Sequence, residues 1–473
     1  CSICDDDREQ LKDKLYSIGG NGDSDSEMML ELFLQLGLEG FQCLHSGFTF
    51  IFIDYKKKKV LAVRDHIGIK SLYYCKYDDS IYISSSFKDL SSLDFLKFHL
   101  NIDKLANFLN FSDFSKTDTF VKEINKVPPL HVLNLNKTKV SINSYSEYTL
   151  KAKFFNASDQ IQGLRQLLKE IMVIDKCEYH NKIGFLFSGG LDSSTTISFF
   201  RHFKNSNQRI FALSAQFKNL NKDIVHLIDE SNFQREITDL DDIESIEFDG
   251  QSETTLSNLD FYLDIIGQPF FFPNLYLSNR AFYLAIDHGI KTVVNGNDGD
   301  TVISHGYEFL RELFYTFQWV KLYREIRVTS KVRRQNKWFI FKRIILSQLT
   351  LKGFLRPSAQ QEHLKVLSTS NHSKALEIQG ILASYYGIDE RYPFYNRTLI
   401  EYCLNVSPRL KNKNGFSRFI LKEAVAGIVP DKIRNRTTKS NLGHALCINF
   451  VEKDHALIEY HLDNPNSILV KLV

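Results

Sequence analysis

The sequence predicts two units: an α+β unit over residues 1–150, then an α/β unit with a parallel sheet over residues 151–473. One observation on size and two on pattern lead there. At 473 residues the chain is too long for one ordinary core. Its first stretch opens with two helical patterns followed by short β-like runs and turns. From about residue 155 helical patterns alternate with short apolar runs, which is how a sheet covered on both faces by its connecting helices reads.

In the first unit the helical patterns cover Leu11 to Leu15 and Met28 to Leu36. Two β-like runs, Gly47 to Asp54 and Val60 to Asp65, flank Tyr55-Lys56-Lys57-Lys58-Lys59, a lysine run read as a solvated hairpin turn rather than an anion patch. Further strands are expected at Ile81 to Ser85 and from Val127 to Leu133. In the second unit a helix over Ile161 to Asp175 precedes the strongly apolar strand Ile183 to Phe187, a Gly-rich turn and a helix over Ser194 to Phe203. Strands recur at Ile210 to Ser214 and Thr292 to Asn295, with a helix at Leu277 to His288 between them; beyond about residue 305 the pattern is mostly helical. The basic stretch Lys331, Arg333, Arg334, Lys337, Lys342 and Arg343 is interleaved with Trp338 and Phe341. It fits the solvated face of an amphipathic helix better than a peptide or RNA surface.

Composition narrows the classes. With 43% hydrophobic and 24% charged residues and a net charge of +3, the chain reads as an ordinary globular protein, and no nucleic-acid partner is expected. Seven scattered cysteines (Cys1, Cys4, Cys43, Cys75, Cys177, Cys403, Cys447) form neither a disulfide framework nor a zinc pattern, so a reducing cytoplasm is expected. No secretory leader and no run of about 18 uncharged apolar residues is visible, so no membrane partner is expected.

The sharpest chemical signal is Leu186-Phe187-Ser188-Gly189-Gly190-Leu191-Asp192-Ser193-Ser194. An apolar strand runs into hydroxyl and glycine residues and then into a helix. Glycines admit close approach of an anion, and the unsatisfied N–H groups of a helix start attract it. Ser188, Ser193 and Ser194 add hydroxyl donors. Asp192 would repel a bare phosphate, so its presence implies Mg2+ bridging it to the phosphates. The Gly-Lys-Ser/Thr ending of a Walker A loop is missing.

This SGGLDSS string resembles the pyrophosphate loop of the N-type ATP pyrophosphatases, an adenine nucleotide alpha hydrolase-like fold, and is most similar to the asparagine synthetase branch. The resemblance implies ATP held with its pyrophosphate on Ser188, Gly189, Gly190, Ser193 and Ser194, Leu186 and the Asn295-Gly296 pair at the nucleotide, Mg2+ on Asp192 and Asp300, and release of AMP and PPi. Asp300, in Val294-Asn295-Gly296-Asn297-Asp298-Gly299-Asp300, matches the second Mg2+-binding aspartate. Asp389 to Arg397 resembles the family's "E-x-R-x-P-F-L-D" segment, and Lys422 to Leu442 its C-terminal motif. Within the latter, Lys439 matches the lysine on the phosphates and the developing oxyanion, so Lys439, Asp300 and Asp192 are the expected catalytic residues.

The first unit resembles the class II glutaminase (Ntn-hydrolase) domain of the same family. Ser24 to Glu27 is similar to "SDTE", Gly47 to Phe50 to "GMFAF", and Val63 to Tyr74 to "ARDRFGIKPLYY". The domain reads as truncated, because Cys1 falls where "NGEIYN" belongs and lacks both the following Gly and an "RGPD" segment. Glutamine hydrolysis is therefore not expected. The synthetase unit also departs from strict asparagine synthetases, with Asn297 and Thr301 in place of two glutamates and one extra residue in RTTKSNL. Asn cannot act as a base. These departures are similar to the lasso-peptide macrolactam cyclases of the family, which implies a peptide carboxylate substrate, a precursor peptide and its processing protease. Asparagine synthesis, from glutamine or ammonia, is the alternative, and a nucleotide-binding pseudoenzyme a further one.

Overall fold

The computed structural model describes residues 5–463 except 18–19, 21, 114, 137–138, 152–155, 173–180, 219–224, 226–227, 350–353, 355–357, 438–447 and 449–451. The readings placed on Cys1 and Lys439 thus lie outside the described residues.

The first unit holds two antiparallel sheets. One runs in the order β1 (Thr49–Asp54), β2 (Lys59–Arg64), β6 (His131–Asn136), β7 (Lys139–Ser144). The other has β3 (Tyr73–Tyr77) between β4 (Ser80–Ser84) and β5 (Ile124–Lys126). Ala62, Leu133 and Leu135 of the first sheet share a buried cluster with Leu72, Val127 and the side chains of Tyr74, Ile81 and Ile83, so the sheets pack face to face. Two helices, Asp5–Ser17 and Asp25–Leu36, cover the other face through Leu11, Leu15, Met28 and Leu32. The second starts sharply because Ser24 and Glu27 form a reciprocal capping box. The lysine run is the β1–β2 turn, where Asp54 accepts the Lys57 N–H at 2.9 Å.

The second unit carries a five-stranded parallel sheet in the order β10 (Ile243–Asp249), β9 (Arg209–Gln216), β8 (Lys182–Leu186), β11 (Thr292–Asn295), β12 (Asp389–Arg391). From β8 the chain builds outward through β9 to β10, then returns to lay β11 on the opposite side of β8, with Asn295 opposite Leu186. The loops leaving β8 and β11 therefore diverge at one crevice beyond the strands' carboxyl ends, the place where open parallel sheets bind ligands. All four β11 residues and Ile183 to Phe185 are buried. Two apolar cores flank the sheet, one containing the helices Ala157–Met172 and Leu191–Phe203 and the other the helix Leu275–Asp287.

Two strands of this parallel sheet escape the sequence reading. In β10 Glu244 and Glu247 interrupt the apolar run because the strand is an edge, with Ile243, Ile246 and Phe248 buried. β12 has only three residues, Asp-Glu-Arg, too short and charged to signal a strand. The basic stretch is also not one helix. Arg334 at φ 52° ends the helix Trp319–Arg333, and Asn336 caps a new one, Lys337–Ile344.

The units meet on the segment after β2. Asp65 gathers the N–H groups of Ile67, Gly68, Ile69 and Lys70 at 2.6–3.1 Å, folding it into a tight loop. His66 reaches the Tyr395 carbonyl at 2.7 Å. Arg64 and Lys126, from the first unit, hold Glu377 of the helix Ser370–Tyr385 at 2.7 and 2.5 Å.

Candidate active site

The β8 loop is shaped for an anion. The Phe187 N–H still donates to Leu213 O at 2.9 Å, so the ladder ends only one residue past Leu186. Gly189 then turns with φ 78°, where a Cβ would also come within 3.1 Å of Gln234 backbone N. Gly190 starts the 13-residue helix Leu191–Phe203 without any side-chain cap. Its first N–H donors are left for a ligand, at the positive end of the helix dipole. Ser188 Oγ and Ser193 Oγ lie 3.1 Å apart across the turn, and the Gly190 N–H donates to Ser188 Oγ at 3.3 Å. Ser194 Oγ is buried without a hydrogen-bond partner among the described residues.

The β11 loop closes on this turn. A Cβ on Gly296 would stand 2.9 Å from Ser193 Cα, and one on Gly299 2.7 Å from the Asp192 carboxyl carbon. Only glycine permits that approach. Asp192 is thus seated against the start of the short helix Gly299–Ile303, which carries Asp300. Asn295 accepts the Asn297 N–H at 3.0 Å and shapes the loop from within. Asp298 takes φ 60° and accepts a hydrogen bond from the Tyr395 hydroxyl. Asp300 Oδ2 faces His305 Nε2 at 3.7 Å. The structure accordingly brings Leu186, Ser188, Gly189, Gly190, Asp192, Ser193, Ser194, Asn295, Gly296 and Asp300 to one crevice.

Two groups here were not anticipated. Arg418, 226 positions from Asp192, donates to its Oδ1; no local pattern marks it. Beside it, burial and then the charges of Arg418, Arg434 and Arg333 push the Lys422 ammonium down to about 8. Glu390, half-buried on β12, is the other. Burial raises its carboxyl to about 7, against hydrogen bonds from Tyr392 at 2.6 Å, Asn295 at 2.8 Å and Gln379 at 3.1 Å. Its signal was a pair of carboxylates, Asp389 and Glu390, ahead of the aromatic run Tyr392-Pro393-Phe394-Tyr395. Near the C-terminal motif, Arg436 pairs with Glu230 at 2.9 Å, and the Glu230 carbonyl would lie 3.3 Å from a Cβ on Gly189, so the described part of that motif reaches the β8 loop.

Among the described residues no three His, Cys, Asp or Glu side chains form a metal cluster. Mg2+ shared with a polyphosphate asks only one or two carboxylates of the protein. Asp192 and Asp300, hard oxygen donors on adjoining loops with no Cβ between them at Gly299, fit that demand.

Residues 163–466 match the family model for asparagine synthase, and residues 7–146 that for a glutamine amidotransferase domain. The chain is 21% identical to asparagine synthetase [glutamine-hydrolyzing] 1 of Bacillus subtilis, across 91% of this chain and 72% of that one. It is 22% identical to amidase chry2 of Gibberella zeae, across 92% and 74% of the two chains. Amidase chyE of Penicillium rubens is 29% identical over 40% of this chain and 28% of its own. A match over most of the chain, on a parallel sheet whose two loops meet where an anion would sit, leads to one assignment: the chain belongs to the asparagine synthase family and is an amide-forming carbon–nitrogen ligase.

Proposed function

We propose that the protein activates a carboxylate with ATP and joins it to an amine, and that both groups belong to a peptide that is closed into a macrolactam. The carrying observation is the meeting of the uncapped helix start at Gly190 with Asp192 and the Gly299-Asp300 turn. In the first step a carboxylate oxygen attacks the α phosphorus, the bond to the bridging oxygen of the β phosphate breaks, and PPi leaves. Backbone N–H groups after Gly190 and the hydroxyls of Ser188 and Ser193 hold the departing phosphates. Mg2+ on Asp192 and Asp300 would neutralise their charge. In the second step the amine nitrogen attacks the acyl carbon, AMP leaves, and the nitrogen gives up a proton. Glu390, with its carboxyl at about 7, is suited to receive it. Asn297 cannot, so the base is not at that position of the β11 loop. Lys439 is assigned to the oxyanion by its place in the motif.

A product other than asparagine is favoured by Asn297 and Thr301, which depart from strict asparagine synthetases, and by similarity to chains named amidases. Asparagine formation is the second reading, favoured by the B. subtilis relative. A PPi-release assay with ATP and Mg2+ separates them. PPi release with a candidate peptide, and none with aspartate plus ammonia, is expected; asparagine produced from aspartate overturns the macrolactam reading. Asp192→Asn should lower PPi release by at least about a hundredfold with the far-UV spectrum unchanged. Unchanged turnover would mean that the loop is not the phosphate site.

A further inference from the structure

Residues 319–343 hold nine Lys or Arg against a single carboxylate, Glu325, although the whole chain carries only +3. On the helix Trp319–Arg333 the inner face, Leu322, Ile326 and Thr329, is buried. Lys321, Arg324, Arg327 and Lys331, followed by Arg334 at the cap, recur every three or four residues and are all exposed. Among the described residues none of these five is ion-paired. A stripe of cations without carboxylate partners creates a one-sign field that concentrates anions along it.

Both ends of the stripe matter. At its end Arg333 donates to the Tyr307 hydroxyl at 2.7 Å, and the Tyr307 ring stacks at 5.3 Å on His305, the neighbour of Asp300. Val328 and Val332 also pack on Gly415, in the turn leading to Arg418. The stripe therefore finishes at the active site. At its start the rings of Phe354, Phe317, Trp319, Phe314, Phe341 and Trp338 touch in an unbroken series, with centroids 4.9–6.2 Å apart. Phe317 at 65% and Trp338 at 63% exposed show how much apolar surface this series leaves uncovered.

Resting on the ligase reading above, we propose that this face binds the body of the substrate, an acidic peptide bearing apolar side chains, and so delivers its carboxylate to the crevice. The 15-residue helix is about 22 Å long, the span of about seven extended residues. Carboxylates would lie on the stripe and apolar side chains on the ring series, where Trp and Arg are the usual anchors. Continuity with a carboxylate-activating site selects a peptide over other polyanions.

Trp319 and Trp338 are the two tryptophans of the chain, so intrinsic fluorescence reports on this face directly. The full-length protein is titrated, without ATP, with a peptide of about eight alternating Glu and Leu residues. A saturable blue shift is expected, weakened by salt and absent with the Lys-Leu counterpart. The triple variant Arg324→Glu, Arg327→Glu, Lys331→Glu should bind at least about tenfold more weakly, while ATP and Mg2+ raise its Tm as in the wild type. Equal binding by the triple variant, an equal response to the Lys-Leu peptide, or tighter binding of an RNA oligonucleotide or phosphatidylglycerol vesicles overturns the proposal. Absence of any ATP effect on the wild-type Tm would instead sink the ligase reading, leaving the fluorescence result to stand by itself.

Discussion

Replacing Glu377 by Gln removes the negative charge from a buried cluster that joins the two units. Glu377 is 5% exposed and Arg64 and Lys126 are 1% and 8% exposed, so water does little to screen them. Burial pushes the Glu377 carboxyl up, but Lys126 and then Arg64 outweigh it and hold the carboxyl down to about 2, from an ordinary 4.5. At about 1.4 kcal/mol per unit, that difference is about 3 kcal/mol, the scale expected when a buried ion pair loses one partner. Arg64 would keep its three carbonyl acceptors, Gly68, Lys70 and Val127. Lys126, whose ammonium burial already disfavours, would be left beside a neutral amide. The stabilisation is present above pH 4.5 and fades as pH falls toward 2, because the folded carboxyl titrates below the unfolded one. Hydrogen exchange reads this locally. At pH 7 the amides of β3 and of the helix Ser370–Tyr385 should exchange about a hundredfold faster in Glu377→Gln, with β8 unaffected. A change under about threefold, or equal acceleration in β8, would refute the assignment of this cluster as the clamp.

Two further outcomes follow from the crevice. If Glu390 accepts the amine's proton, amide formation should fall about tenfold per pH unit below about 7, where the raised carboxyl becomes neutral. Glu390→Gln should lower amide formation about 10²- to 10⁴-fold and erase that acid limb while ATP–PPi exchange persists; a retained limb assigns the base elsewhere. Gly296→Ala would force a methyl to within 2.9 Å of Ser193 Cα, backbone that cannot swing aside. The two loops should separate, weakening ATP at least about tenfold by calorimetry with only a modest change in Tm; undiminished ATP affinity would show that their contact is not needed.

The parts of this molecule that were legible beforehand are those in which function and local pattern coincide. β8, the serine–glycine turn and the following helix occupy one short stretch, and all four residues of β11 are buried. The edge strand β10 was hidden by Glu244 and Glu247, because an edge tolerates charges that a central strand cannot. Glu390 looked like an ordinary surface carboxylate until β12 placed it against Asn295, Gln379 and Tyr392. Arg418 reaches Asp192 through tertiary packing, for which no spacing rule exists. The Val63 to Tyr74 motif was visible as a string, yet its work, a carboxylate knotting a loop against the second unit, is a property of the pair of units.

That knot has a consequence for how the chain can drift. His66 lies against the backbone of Tyr395, whose hydroxyl steadies Asp298, and Arg64 grips Glu377, two positions before the Gln379 that touches Glu390. Substitutions in residues 64–70 should therefore be felt by the ligase, and the amino-terminal unit would stay under selection as a buttress even in a lineage that had given up amidotransfer.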